Sequence, residues 1–136
     1  MCRMLGFQHH FIITSLFFLN LELVARLVGG SGQHQGRVEV NVKGTWGTIC
    51  QNYFDKPDAD VICRFLGFVE SITVNNHATF GLGTSPMLLD ELHCEGTEPS
   101  PFHCPHAQFG VHTCTHSQDA GLTCKRKFYT CCFEQP

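Results

Sequence analysis

Valines alternate with polar residues from position 37 to position 43, where the chain reads RVEVNVK. A period of two is typical of a β-strand with one buried face. Lys43 and Gly44 give a turn signal, and residues 45–50 read as a second strand that returns alongside the first. The pattern predicts a β-hairpin whose valines face the core.

The spacing of apolar residues changes to three and four after Asp55. Asp55 can cap a helix, Pro57 favours its first turn, and Gly67 favours its end. The apolar positions between these signals are Ala59, Ile62, Cys63, Phe65 and Leu66. This pattern predicts one amphipathic helix of about ten residues.

Short apolar runs separated by glycine, proline and serine follow residue 81. Residues 87–89 (MLL) and residues 121–124 (GLTC) have the length of single strands. Together with the hairpin and the helix, these runs predict an α+β domain that is mostly β, with one helix packed on the sheet.

An apolar segment at residues 11–19 precedes the predicted domain. It follows a short head in which Arg3 is the only fixed positive charge, as in a secretory signal peptide. Glu22 interrupts the segment before it reaches the roughly twenty apolar residues of a transmembrane helix. We therefore expect residues 1–25 to be a signal-like or non-domain leader, and we expect no membrane span in this chain.

The composition narrows the class of protein further. Nine cysteines in 136 residues are close to the density of disulfide-built extracellular domains. With 43% apolar and 15% charged residues, the chain is not intrinsically disordered, and its length excludes a large two-domain enzyme. The net charge of −3 argues against a nucleic-acid-binding protein, although nine histidines would add positive charge in an acidic compartment.

Six cysteines lie within the compact region: Cys50, Cys63, Cys94, Cys104, Cys114 and Cys124. Spacing alone leaves their pairing open. Cys2, Cys131 and Cys132 lie outside this region. Adjacent cysteines rarely bridge each other, so Cys131 or Cys132 is a candidate for a disulfide between chains.

Several short motifs follow one another in order along the chain: RLVGG at 26–30, GRVEV at 36–40, WGTIC at 46–50, DADVICRFLG at 58–67, LDEL at 89–92, CEGTE at 94–98, CPH at 104–106 and DAG at 119–121. Their order and spacing resemble the scavenger receptor cysteine-rich domain family. The resemblance covers residues 26–124 and implies a curved antiparallel sheet, stapled by disulfides, that cradles a single helix. Residues 125–136 then form a basic, cysteine-containing tail outside the domain.

The resemblance also implies how the six cysteines pair. Cys50 should bond to Cys114, Cys63 to Cys124, and Cys94 to Cys104. Two cysteines of the family's eight-cysteine subtype are missing, because residues 32–35 contain none and Phe68 occupies the other position. The chain therefore follows the six-cysteine pattern.

Charged residues alternate along the first strand of the hairpin, away from the valines. We expect Arg37, Glu39 and Lys43 to be exposed, with the two cations facing anionic sugar or lipid head groups. The resemblance points the same way, because residues 36–40 are similar to a segment with which several family members bind microbial surfaces. The alternative is a solvated strand face that only keeps the sheet soluble.

Asp90 and Glu91 are adjacent carboxylates of the kind that calcium binds. The resemblance implies one calcium site there, which an asparagine completes in the family. Thr113 stands at that position here and removes one side-chain carbonyl ligand. We therefore expect calcium at no more than one weak site, and no required cofactor.

Neutral amides stand at a second cation site of the family. Gln51, Asn52 and Gln118 replace its carboxylates and remove most of the charge that would hold a divalent cation. Histidines flank Cys104 and Cys114, but a zinc site is not expected because both cysteines are assigned to disulfides.

The motifs of common enzymes are missing from the sequence. A cysteine hydrolase needs a free thiolate beside a histidine, and all six domain cysteines are assigned to disulfides. Neither a nucleophile elbow, a phosphate loop nor a dinucleotide fingerprint is present. We predict that the chain is not an enzyme.

The predicted function is extracellular recognition, by a secreted protein or a receptor ectodomain. Its expected partners are protein, glycan, polyanionic or microbial-surface ligands in innate defence or cell-surface recognition, and not nucleic acid. One alternative is a structural or adhesive module of a larger multidomain receptor. The other is an accessory domain of a secreted protease or oxidase.

Overall fold

The strand with the alternating valines lies at the centre of the sheet in the computed structural model, which describes residues 23–127. The strands are β1 (Leu23–Gly29), β2 (Gln35–Val42), β3 (Thr45–Ile49), β4 (Ser71–Val74), β5 (Met87–Leu89) and β6 (Gly121–Cys124). The expectations for residues 1–22, and for Cys131 and Cys132, lie outside the described residues.

β2 has neighbours along both of its edges. β1 pairs antiparallel with residues 36–42 on one edge, while β3 pairs with residues 39–42 and β6 with residues 35–37 on the other. β3 and β6 therefore share one edge of β2, and the sheet curves into a half-barrel around the helix. The path through the sheet is β4-β6-β2-β3-β5, with β1 beside β2 off this path, and only the pairing of β3 with β5 is parallel among the described strands. The prediction of a curved sheet is confirmed, with this parallel pair as an addition.

The predicted hairpin joins β2 to β3 through a two-residue turn. Lys43 has φ 52° and Gly44 has φ 91°, the left-handed combination that matches the twist of paired strands. The Asn41 side chain closes the turn, because its Oδ1 accepts a hydrogen bond from the Gly44 N–H at 2.9 Å. The turn therefore fixes which hairpin residues face the core.

The predicted helix, α1, spans Lys56–Phe65 and begins after Asp55. Its buried residues Ala59, Ile62 and Cys63 share one apolar core with Val38 and Val40 of β2. The helix prediction is confirmed, and the curved sheet wraps around this apolar stripe.

Among the described residues, three disulfides tie the elements together, in the pairs that the resemblance implies. Cys63 on α1 bonds to Cys124 on β6, and Cys50 bonds to Cys114. Cys94 bonds to Cys104 and closes a loop with a sequence separation of 10. The first pair pins the helix to the sheet, because it joins their two buried faces.

Two strands were not predicted from the sequence. β1 begins at Leu23, three residues before the predicted domain start, so the end of the expected leader is part of the sheet. β4 is only four residues long and exposes two of them, which leaves little apolar pattern to detect.

Asp58 connects the start of α1 to the Cys94 loop. Its carboxylate is fully buried and accepts hydrogen bonds from the Asp55 N–H at 2.9 Å and the Cys94 N–H at 2.7 Å. Burial raises the pKa of Asp58 to about 7, although these two hydrogen bonds oppose the shift.

Candidate functional site

A polar face lies on the side of the sheet opposite the valines. Its members are Arg26 of β1, Arg37 and Glu39 of β2, and Trp46 of β3, which we call the outer face. Arg26 is the strand partner of Glu39, and residues directly opposite each other on paired strands project to the same face. The outer face is therefore set by strand register.

Glu39 lies at the centre of the outer face and is only 4% exposed. Its Oε1 accepts hydrogen bonds from Arg26 Nε at 2.9 Å and Nη2 at 2.8 Å. Its Oε2 accepts hydrogen bonds from Arg37 Nε at 3.1 Å and Nη2 at 2.9 Å. The buried carboxylate is thus held between two guanidinium groups, which compensates for its loss of water.

The expectation that Arg37 and Glu39 project into solvent is wrong. The Arg37 side chain is 12% exposed, and its Nη1 donates to the carbonyl oxygens of Phe80 and Gly81 at 3.3 and 3.1 Å. The loop that carries these carbonyls covers this end of the face. All three guanidinium nitrogens of Arg37 have partners within the domain, so its charge is used internally.

Arg26 is the cation of the outer face that faces solvent. Its side chain is 49% exposed, and its guanidinium carbon lies 3.8 Å from the centre of the Trp46 ring. Among residues 23–127, no hydrogen bond involves its Nη1. In the sequence, Arg26 is recognisable only as part of the RLVGG motif, because its role depends on the register of β1 with β2.

Lys43 is exposed at the tip of the hairpin, as expected. It takes no part in the ion pairs of Glu39, which involve the two arginines alone among the described residues. Of the three residues predicted to bind ligand, the structure brings Arg37 and Glu39 together and leaves Lys43 apart.

Asp90 and Glu91 differ in their surroundings. Asp90 is 3% exposed, and its Oδ1 accepts a hydrogen bond from the Glu91 N–H at 2.7 Å. Its Oδ2 lies 3.5 Å from Cys114 Sγ, which has no proton to donate because it belongs to a disulfide. Glu91 and Thr113 are exposed. All three residues offer oxygen ligands, but of the two carboxylates only that of Glu91 is exposed to solvent.

The amides that replace the family's second cation site make internal contacts. Gln51 Oε1 accepts a hydrogen bond from the His77 N–H at 2.6 Å, and Gln118 Oε1 accepts one from the Thr115 N–H at 3.0 Å. Asn52 Nδ2 lies 3.5 Å from Cys114 Sγ. The three amide side chains therefore contact other residues of the surrounding loops.

Two groups of potential metal ligands also arise from the geometry. One contains Cys50, Asp90 and Cys114, and the other contains Cys94, Glu98 and Cys104. In each group the two sulfur atoms are bonded to each other, so neither supplies a thiolate.

Within residues 23–127, a small curved sheet packs around one helix, and three disulfides join these elements. Small disulfide-rich domains of this kind are typical of extracellular proteins. The chain belongs to the scavenger receptor cysteine-rich domain family, whose pattern matches residues 28–125. Domains of this family are typically binding modules without catalytic activity, in extracellular proteins or receptor ectodomains.

Three relatives illustrate the match. Macrophage scavenger receptor types I and II of Mus musculus are 50% identical over 99 residues, which are 73% of this chain and 22% of that protein. The third domain of this family in murine neurotrypsin superposes with a TM-score of 0.71 at 39% identity, covering 78% of this chain and 99% of that one. The dimeric form of the mouse MARCO domain gives a TM-score of 0.63 at 38% identity, covering 74% and 93%.

The chain therefore spans about a fifth of the length of the curated scavenger receptor that it matches. Within residues 23–127, the helix is too short and too polar to cross a lipid bilayer.

Proposed function

We propose that this chain is an extracellular recognition module that binds polyanionic ligands, including those of microbial surfaces, through the outer face. The proposal rests on the half-exposed guanidinium of Arg26. Glu39 holds its guanidinium against Trp46, while Nη1 is left for an external acceptor. Lys43 adds a second exposed cation at the hairpin tip.

A guanidinium fixed in this way suits sulfate, phosphate or carboxylate groups. Its planar donors match such oxygens, and because Glu39 and Trp46 already restrain it, little side-chain entropy is lost on binding. The net charge of −3 opposes attraction of a polyanion at long range, so the contact has to be local.

The similarity to macrophage scavenger receptor and MARCO domains supports a recognition role. The alternative of a structural or adhesive module is supported by the neurotrypsin match, because that domain is the third of its kind in one protein. The two functions differ in one observable: only the first requires binding of soluble polyanions by the isolated chain.

Surface plasmon resonance with immobilised dextran sulfate, and with neutral dextran as the reference, separates these functions. The oxidised chain should bind only the sulfated polymer, and binding should weaken as salt rises. Arg26→Gln should weaken it about tenfold, because a charge-assisted hydrogen bond is lost. Lys43→Asn removes the second exposed cation, and asparagine is chosen because it tolerates the positive φ of this position.

Arg64→Gln is the matched control, because it removes one exposed positive charge from α1, away from the outer face. It should bind almost as the unaltered chain does. Equal affinity for neutral dextran, or the same loss in Arg64→Gln as in Arg26→Gln, would contradict the proposal and favour the adhesive alternative.

We propose that no cofactor is required and that calcium binds at one weak site formed by Asp90, Glu91 and Thr113. The free Oδ2 of buried Asp90 supports it, since that oxygen faces a disulfide rather than a hydrogen-bond donor.

A further inference from the structure

Three consecutive cations follow β6. Lys125, Arg126 and Lys127 are all exposed. The backbone holds the first of them against the segment before β4: the Lys125 N–H donates to the Glu70 carbonyl at 2.7 Å, and the Val69 N–H donates to the Lys125 carbonyl at 2.9 Å. These two hydrogen bonds fix the backbone of Lys125, the first of the three cations, at the edge of the sheet.

The same edge exposes apolar side chains. Ile72 on β4 is 60% exposed and Val69 is 39% exposed. Ile72 lies where the pairing of β4 with β6 shifts register, between Ser71 and Thr73. We call Val69, Ile72 and residues 125–127 the basic edge.

Little negative charge opposes the basic edge within the described residues. Two acidic residues lie beside it, and both already pair with Lys56: Asp60 at 3.0 Å and the half-exposed Glu70 at 3.8 Å. The ion pairs found within residues 23–127 do not include the three cations. Within that part of the chain, no partner occupies their charge, which leaves it for an external anion.

We propose that the basic edge binds the anionic headgroups of a phospholipid bilayer. Clustered Lys and Arg side chains are attracted to anionic lipid, and neighbouring apolar side chains enter the boundary between headgroups and acyl chains. A soluble polyanion offers the charge but no apolar layer, so Val69 and Ile72 favour the bilayer. This surface is separate from the outer face, and the proposal does not depend on the function assigned there.

Sedimentation of the full oxidised chain with lipid vesicles tests the proposal. The chain should bind phosphatidylcholine vesicles that contain about 30% phosphatidylserine and should not bind pure phosphatidylcholine vesicles. Replacing all three cations (Lys125→Gln, Arg126→Gln and Lys127→Gln) should weaken binding about a hundredfold, since each contributes several-fold near an anionic surface. Ile72→Ser should weaken vesicle binding about threefold and leave dextran sulfate binding unchanged.

The matched control removes three positive charges elsewhere, through Arg26→Gln, Lys43→Asn and Arg64→Gln. It should lose less than about tenfold on vesicles while losing dextran sulfate binding. Vesicle affinity that survives in the Lys125, Arg126, Lys127 variant overturns the proposal. So does an Ile72→Ser variant with unchanged vesicle affinity, because the edge would then be a site for soluble polyanions.

Discussion

Glu39 determines what each arginine of the outer face can do. It is buried and charged, so it needs hydrogen-bond donors on both oxygens. Arg37 supplies one set of donors from a covered position, and Arg26 supplies the other from the surface. A single carboxylate thus separates a structural arginine from an arginine that is available to a ligand.

Arg37→Ala should destabilise the domain more than Arg26→Ala. Loss of Arg37 leaves Glu39 Oε2 and two backbone carbonyls without their donor, at a cost of about 2 kcal/mol. Loss of the half-exposed Arg26 should cost about 1 kcal/mol or less. Urea denaturation of both variants measures the difference, and equal losses would show that Arg37 is not anchored by the covering loop.

Asp58 should make stability fall as the pH rises towards neutrality. The pKa of Asp58 is raised from 3.8 to about 7 by burial, so the folded domain holds this proton more tightly than the unfolded chain. The resulting stabilisation is fully present below about pH 4 and is lost as the pH rises through about 7. Its size should be a few kcal/mol.

Asp58→Asn isolates this contribution. The variant cannot titrate at this position, so its free energy of unfolding should fall less than that of the unaltered chain from about pH 4 to about pH 7. Asparagine also loses one acceptor oxygen, so the slope is compared rather than the absolute value. Parallel pH profiles would contradict a raised pKa.

Asp60, on the same helix, acts in the opposite direction. Burial alone would raise its pKa, but hydrogen bonds from Ser71 and from Lys56 lower it below the usual value. Its contribution is present above the ordinary pKa of an aspartate and is lost as the pH falls further. The contributions of Asp58 and Asp60 to the free energy of unfolding therefore change over separate pH ranges.

Among the helices and strands, those whose apolar pattern is complete within their own short segment could be predicted from the sequence. The hairpin and α1 each have a complete period and their own turn or cap signals. β1 and β4 have neither. β1 joins the sheet by pairing with β2 along its whole length. The register of this pairing cannot be read from the short sequence of β1 alone.

The disulfide that joins α1 to β6 should matter more than the one that closes the Cys94 loop. Cys63→Ala with Cys124→Ala removes a crosslink of separation 61, and Cys94→Ala with Cys104→Ala removes one of separation 10. Chain entropy alone predicts losses of about 4 and about 3 kcal/mol. The first pair is also fully buried, which adds a packing loss.

Denaturant titration of the two double variants gives the comparison. The variant without the Cys63 crosslink should unfold at the lower denaturant concentration. The reverse order would mean that the Cys94 loop, rather than the link between helix and sheet, limits stability.

At the scale of the whole molecule, the candidate site could be predicted only in part. The alternation of charged residues on β2 correctly gave the face on which Arg37 and Glu39 lie. It could not show that residues 80 and 81 cover that face, since this contact spans 43 and 44 positions of sequence. Nor could it show Arg26 above Trp46, because that contact requires three strands in register.

Calcium binding should be weak and limited to one site. Calorimetry should give a dissociation constant of about millimolar or weaker, as for exposed extracellular sites with few charged ligands. Asp90→Asn together with Glu91→Gln should abolish the signal. Two tight sites would show that Gln51, Asn52 and Gln118 do not remove the second one.

The fluorescence of Trp46 tests directly whether the outer face holds the polyanion. Trp46 is the single tryptophan of the chain and contacts Arg26, so its emission reports on this face alone. Dextran sulfate should change the emission until the site is saturated, neutral dextran should not, and Arg26→Gln should move the response to about tenfold higher dextran sulfate concentration. Dextran sulfate that binds by surface plasmon resonance but leaves Trp46 emission unchanged would contradict binding at the outer face.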